Sequence, residues 1–295
     1  MNIYGVIGWP IKHSLSPAMH NAAFKELGID AEYKLFEVSP EKLEDFILNK
    51  KDVAGFNITI PHKVRAREVL KNKFKVVNNL SYPHYDEMSG AVNTVKRNGD
   101  DIEYCNTDPV GFRHSLENDL KFKTKDKNAL IIGCGGASRA IVADLSYSGH
   151  HIKKIYLYDI NKEAVESTKR QYSNLKNKIK FIYDTKEMLK LKDEFDLLVN
   201  ASPVGMEEGD ERLAVPKELL RKELYVFDLV YNRKTRLFKE AAALGCHVVD
   251  GSGMLAAQGA FSFSLWTGVP AVKVLETMRT ALNKALRLQT DNVSL

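Results

Sequence analysis

The chain has 295 residues, 44% of them hydrophobic and 27% charged, which suits two folded domains rather than one and fits no disordered, collagenous or membrane-spanning class. Its net charge of +5 is mild, and the cations are scattered among acids rather than gathered in blocks, so a dedicated nucleic-acid binder is excluded. The three cysteines, Cys105, Cys134 and Cys246, lie far apart with no CxxC pair; no zinc site or disulfide framework is readable, and a reducing compartment is expected.

Strand-like apolar runs and amphipathic stretches alternate from the start. Residues 3–7 read as a strand, 17–27 as a helix, 32–38 as a strand, 40–48 as a helix and 53–58 as a strand, followed by a helix from about Pro61. This order predicts an open, largely parallel sheet. A less regular stretch follows, and then residues 92–95 and 102–104 pair as a hairpin across Asn98-Gly99-Asp100. No basic and apolar leader precedes the first strand, and no apolar run is long enough for a bilayer, so the expected location is cytoplasmic, with neither membrane nor nucleic acid as partner.

A second alternating series starts near residue 126. Its strand candidates are 129–132, 155–158, 180–182, 197–200, 225–229 and 247–249, with helices between them. Residues 254–288 read as helical apart from a break at Gly268-Val269-Pro270, and 289–295 read as a frayed tail. The expected fold is therefore α/β, with two open twisted domains, a cleft between them, and a Rossmann-type dinucleotide-binding fold in the second. The seam falls near Asp108. Residues 1–107 with 253–288 form the first domain and 108–252 the second.

The run Asn128-Ala-Leu-Ile-Ile-Gly133-Cys134-Gly135-Gly136-Ala137-Ser138 is a buried strand entering a glycine turn and then a helix. Gly133 permits the tight turn, and Gly135 lets backbone N–H groups approach a pyrophosphate at the positive end of the helix. Glycine also serves ordinary turns, but here the strand before, the helix after and a second strand ending at Asp159 complete the dinucleotide context. Ser138 stands where the common fingerprint has its third glycine. Asp159 is placed to bond the ribose hydroxyls of NAD and to repel a 2′-phosphate, so NAD is expected over NADP. A two-residue slip would instead let Asn161-Lys162 serve that phosphate.

Six further stretches are harder to attribute to folding alone. They are Gly8-Trp-Pro-Ile-Lys-His-Ser14-Leu-Ser16-Pro-Ala-Met-His-Asn21, Gly55-Phe-Asn-Ile-Thr59-Ile-Pro-His-Lys63, Gly90-Ala-Val-Asn93-Thr94, Asn106-Thr107-Asp108-Pro-Val-Gly111, Asp228-Leu-Val-Tyr231-Asn and Asp250-Gly-Ser-Gly253-Met-Leu-Ala-Ala-Gln258-Gly. Singly, each has a plain structural reading: Ser16 and Asp108 as helix caps before proline, Lys63 as a solvated cation, Asn93 as a turn residue. Together, in this order and spacing, they resemble the shikimate dehydrogenase family from residue 3 to about 270. Tyr104 and Arg233 depart from that family's pattern, and Ile160 stands where NADP-using members have an arginine.

The resemblance implies NAD(P)-dependent interconversion of 3-dehydroshikimate and shikimate, a step toward aromatic amino acids, by a monomer or a homodimer. It implies Lys63 and Asp108 as the catalytic pair. It assigns Ser14, Ser16 and Tyr231 to the substrate carboxylate, and Thr59, Asn93 and Gln258 to the ring hydroxyls. On the cofactor side it implies Gly133, Cys134, Gly135, Gly136 and Ala137 around the pyrophosphate, with Leu229 and Gly251 near the nicotinamide. A quinate/shikimate dehydrogenase has the same chemistry with a looser pocket. A non-catalytic sensor on this fold is expected to lose Lys63 or Asp108. An unrelated Rossmann oxidoreductase leaves Ser14, Ser16, Asn93 and Asp108 without a purpose.

Overall fold

The computed structural model describes residues 1–76 and 84–293, without the side chains of 148 and 290–293. The chain divides into two compact units, one formed by Met1–Gly111 with Leu255–Leu295, the other by Phe112–Met254. The helices α5 and α10, defined below, contain the two points where the chain passes from one unit to the other.

The first unit is built on six strands: β1 (Asn2–Gly8), β2 (Ala31–Glu37), β3 (Gly55–Ile58), β4 (Lys75–Val76), β5 (Thr94–Asn98) and β6 (Asp101–Cys105), in the order β2-β1-β3-β5-β6-β4. The sheet is mixed where a largely parallel one is expected. β1 pairs in parallel with β2 and β3, but β5 and β6 form the hairpin over Gly99, and β5 is antiparallel to both of its neighbours. A two-residue turn can only reverse the chain, and Gly99 supplies the positive φ of +66° that it needs.

The helices of this unit are α1 (Ser16–Glu26), α2 (Leu43–Asn49), α3 (Lys63–Leu70), α4 (Tyr85–Ser89), the start of α5 (Asp108–Asn118), most of α10 (Ser252–Thr267) and α11 (Leu275–Val293). Leu43, Ile47, Ala66, Val69 and Leu70 pack on Ile7, Phe56, Ile58, Val95 and Tyr104 in one core. Against Tyr4, Phe24 and Trp266 stack with ring centroids at 5.3 and 5.1 Å. The Trp266 indole N–H also donates to the Val95 carbonyl at 2.9 Å, which fastens α10 to the sheet. The break at Gly268 is real, with φ at +76°. α11 runs on to Val293, through most of the segment that reads as a tail; residues 294–295 lie outside the described residues.

The second unit carries an all-parallel sheet of β7 (Asn128–Ile132), β8 (Lys154–Tyr158), β9 (Ile179–Phe181), β10 (Leu197–Asn200), β11 (Tyr225–Asp228) and β12 (His247–Asp250). Its order, β12-β11-β10-β7-β8-β9, reverses direction at β7 and β10, as in the doubly wound dinucleotide-binding fold. Alternate residues of β7 feed opposite cores: Ala129 and Ile131 meet Ile141 and Val142 of α6 (Gly136–Ser146), while Leu130 and Ile132 meet Leu224, Val226 and Leu237. Burial on both faces explains why these strands read as unbroken apolar runs. No helix among the described residues is long and apolar enough to cross a membrane.

Candidate active site

Four chain segments of the first unit converge on one ion pair. The loop after β3 turns into α3 with the buried His62 ring bonded to the Val38 carbonyl at 2.7 Å, so Lys63 opens the helix. Its own carbonyl accepts the Val92 amide at 3.0 Å. A cation at a helix N-terminus is disfavoured by the dipole, and here a carboxylate answers it. Lys63 Nζ donates to Asp108 Oδ2 at 2.5 Å, with the two side chains only 14% and 6% exposed. Asp108 in turn opens α5, where a negative charge is favoured. Its amide donates to Asn106 Oδ1 at 3.1 Å, and the Asn106 amide nitrogen is anchored on Ser89 Oγ and the Ala91 carbonyl.

Asn93 completes the group. Its Nδ2 donates to Asp108 Oδ1 at 2.8 Å, to Thr107 Oγ1 at 3.0 Å and to Gln258 Oε1 at 3.3 Å, while its Oδ1 accepts the Thr107 amide at 2.7 Å. Lys63, Asp108, Asn93 and Gln258 are thus joined in one hydrogen-bonded cluster. Ser14 and Ser16 form a separate pair, hydroxyl to hydroxyl at 3.2 Å. The plain reading of Ser16 as a helix cap is not realised: the N-cap position of α1 falls on Leu15, with no side-chain bond. Thr59 lies on the β3–α3 loop, its amide held by the Ile7 carbonyl at 2.9 Å. Tyr231 belongs to the second unit, in the loop after β11.

In that unit the turn from β7 to α6 has the geometry that the glycines suggest. Gly133 has φ at +108°, and a Cβ there would stand 2.8 Å from the Ala201 carbonyl oxygen. Gly135 faces open space, and no side chain caps α6, so its first amides are available to an anion. Gly136 and Ala137 form the first turn of that helix. Cys134 is 1% exposed, and burial, with the nearby Asp159 charge, pushes its thiol up to about 12, so it packs rather than reacts.

Asp159 departs from its expected role. One carboxylate oxygen accepts the Cys134 amide at 2.7 Å and the other the Asn161 amide at 2.8 Å. The side chain therefore ties the end of β8 to the glycine turn. Asn161 caps α7 (Lys162–Gln171), accepting the amides of Glu163 and Ala164, and Lys162 is exposed at its first position. Across the sheet, a Cβ on Gly251 would fall 2.1 Å from the Leu229 carbonyl oxygen, so only glycine admits this approach. The buried Asp228 carboxylate beneath that loop accepts bonds from Asn200, Thr235 and the Val230 amide. Burial raises its pKa, and these donors work against the rise.

Residues 6–107 match the family model of the shikimate dehydrogenase substrate binding domain, and residues 251–282 that of the shikimate 5'-dehydrogenase C-terminal domain. A curated relative from Methanopyrus kandleri, shikimate dehydrogenase (NADP(+)), is 39% identical over 97% of this chain and 96% of its own. A crystal structure of shikimate dehydrogenase in complex with NADP+ superposes with a TM-score of 0.83 at 34% identity, covering 97% of this chain and 96% of the other. The Thermus thermophilus enzyme in complex with NADP(H) and shikimate gives a TM-score of 0.78 at 31% identity, over 95% of this chain and 100% of that one. These relatives overturn the preference for NAD expected from Asp159. The physical reason is in the loop: both oxygens of that carboxylate are engaged by backbone amides, and Asn161 and Lys162 follow closely behind it.

Proposed function

Because the chain belongs to the shikimate dehydrogenase family, we propose that it catalyses the reversible, NADP-dependent reduction of 3-dehydroshikimate to shikimate. The observation that carries this reading is the buried Lys63–Asp108 pair, bound to Asn93 and Gln258, inside the unit that matches the substrate-binding model. The glycine turn fits a dinucleotide, with uncapped amides at α6 and open space at Gly135. When bound, NADP(H) supplies or accepts the hydride.

The chain's own residues handle the proton and the orientation. Lys63 as an ammonium donates a hydrogen bond to the carbonyl being reduced, stabilises charge growing on its oxygen, and gives up the proton to form the hydroxyl. In the oxidation direction the amine takes that proton back. Asp108 holds Lys63 in place through the bond to its Nζ. Asn93, Gln258 and Thr59 bond ring hydroxyls, while Ser14, Ser16 and Tyr231 receive the carboxylate. Lys162 is the cation available for the 2′-phosphate, acting as a point charge where an arginine would bind with two N–H groups.

Formation of NADPH from shikimate and NADP+ by the purified chain tests this reading, with efficiency expected to be higher for NADP+ than for NAD+. Absence of shikimate turnover in the folded protein overturns it. Lys162→Ala is expected to remove a charged hydrogen bond worth about 1.5–3 kcal/mol toward NADP+ and to leave NAD+ kinetics unaltered. Ser14→Ala and Ser16→Ala are each expected to weaken shikimate binding by about 1–3 kcal/mol. Their cofactor KM stays constant, which titration of each substrate at saturating partner concentration will show.

A further inference from the structure

The catalytic cluster does not end at Asn93. Behind it, buried in the first unit, lie Tyr33, Asn57, Thr94 and Ser262, each no more than 6% exposed. Tyr33 O–H donates to Asn57 Oδ1 at 2.8 Å. Asn57 Nδ2 shares its two hydrogens among three acceptors, Ser262 Oγ at 2.8 Å, Thr94 Oγ1 at 3.1 Å and the Asn93 carbonyl at 3.2 Å. Thr94 Oγ1 donates to Asn93 Oδ1 at 2.8 Å and contacts Ser262 Oγ at 2.8 Å.

The direction of these bonds follows from counting hydrogens. A backbone carbonyl only accepts, so the nitrogen of the Asn57 amide faces Asn93 and its oxygen faces Tyr33. The phenol supplies the hydrogen, since burial raises its pKa and keeps it protonated. Thr94 has one hydrogen and gives it to Asn93 Oδ1, so toward Asn57 and Ser262 it can only accept, and the one Ser262 hydrogen is shared between Thr94 Oγ1 at 2.8 Å and the Gln258 carbonyl at 3.0 Å. With Asn93 Oδ1 so engaged, its N–H must face Asp108, which as a carboxylate only accepts. His20 fixes the far end, its ring parallel to Tyr33 at 4.2 Å and 6°.

We propose that Tyr33, Asn57, Thr94 and Ser262 are positioning residues for the dehydrogenase reaction, a one-way chain of donors that, together with the Thr107 amide, holds the tilt of the Asn93 amide and through it the plane of the Asp108 carboxylate. Asp108 then presents Oδ1 to Asn93 and Oδ2 to Lys63, which holds the ammonium at the reacting oxygen. The Thr107 amide already forbids a reversed Asn93 amide; the second donor on Oδ1, Thr94, fixes the tilt of the amide plane, and with it the point at which Nδ2 meets the carboxylate. Chained bonds of one direction polarise and strengthen one another. This inference rests on the proposed shikimate reaction for its kinetic consequence, though not for the geometry.

The test is Thr94→Val, which keeps the shape and removes the hydroxyl, beside Thr94→Ser, which restores it. Asn93 Oδ1 keeps the Thr107 amide in either variant, so the fold survives. Thr94→Val is expected to lower kcat on shikimate about ten- to hundredfold, the cost of a small misplacement at a reacting group, with the KM for NADP+ constant. Thr94→Ser is expected to recover most of that loss, and Ser262→Ala to act in the same direction as Thr94→Val. Independently of turnover, NMR of the unliganded protein reads hydrogen exchange at the Asn93 side-chain amide, expected to accelerate in Thr94→Val. Wild-type kcat in Thr94→Val, equal damage in Thr94→Ser, or unaltered Asn93 exchange overturns the relay. If wild type does not oxidise shikimate, the functional reading fails and Asn93 exchange alone judges the relay: faster in Thr94→Val sustains it, unaltered overturns it.

Discussion

Lys63→Ala is expected to lower kcat on shikimate by about two to four orders of magnitude, the range that a positioned acid–base group contributes. Its KM for shikimate should change far less, because proton transfer is expressed in the transition state and the ring hydroxyls keep their other partners. The substitution also removes the cation that faces a nearly buried carboxylate, so loss of activity alone does not isolate the chemistry. Lys63→Arg separates the two effects. It keeps the charge opposite Asp108, but a guanidinium does not release its proton at any accessible pH. We therefore expect Lys63→Arg to be folded and close to inactive in steady-state assays. Turnover within a few-fold of wild type in either variant would remove Lys63 from its role.

A pair of glycine substitutions should separate the stability of the second unit from its grip on the cofactor. Gly133→Ala places a Cβ 2.8 Å from the Ala201 carbonyl oxygen on a backbone with φ at +108°. Neither neighbour can yield, since both are main chain of adjacent parallel strands and their loops. The expected cost is about 1–3 kcal/mol of stability, together with a displaced turn and a raised KM for the dinucleotide. Gly135→Ala meets nothing within 4 Å and should unfold at the wild-type midpoint. Its methyl group occupies the space where the pyrophosphate approaches, so cofactor binding should fall at least as steeply as in Gly133→Ala. Thermal denaturation and cofactor titration of both variants decide the matter. Wild-type cofactor affinity in Gly135→Ala would exclude this turn as the pyrophosphate site.

The elements that read correctly from the sequence are those whose burial leaves a periodic trace. The central strands β7, β8, β10 and β11 are apolar on both faces and could hardly be helices or loops at their length, and the Asn98-Gly99-Asp100 turn announces its hairpin. What escapes is what depends on partners distant in the chain. The two-residue strand β4 has no pattern of its own and exists because β6 lies beside it. Asp159 falls one residue beyond the strand it is expected to end, and only the folded loop reveals that its oxygens meet the Cys134 and Asn161 amides.

That Lys63 and Asp108 belong together is legible because their motifs stand in an order that resembles one family, and the structure pairs the two side chains. Thr94, Thr107 and Asn57 lie within those motifs, yet their polar atoms gain meaning only when buried together. Tyr33 and Ser262 lie outside every motif. A tyrosine in a strand and a serine in an apolar helix look like ordinary filling. The requirement that buried polar groups find partners identifies them, and that requirement needs coordinates.

The division of the chain also bears on the order in which a growing polypeptide can fold. Phe112–Met254 is continuous, so its parallel sheet can close once those residues have left the ribosome. The first unit cannot finish at that stage. Its leading 111 residues wait for Leu255–Leu295, which bring Trp266 to Tyr4 and Val95, and Ser262 to Asn57 and Thr94. During synthesis, then, the residues that begin first are completed last. The apolar faces of β1 and β3 stay without their final cover while about 140 intervening residues are made, at about 5–20 residues per second. A nascent chain of this kind has about 7 to 28 seconds in which those faces are open to chaperones.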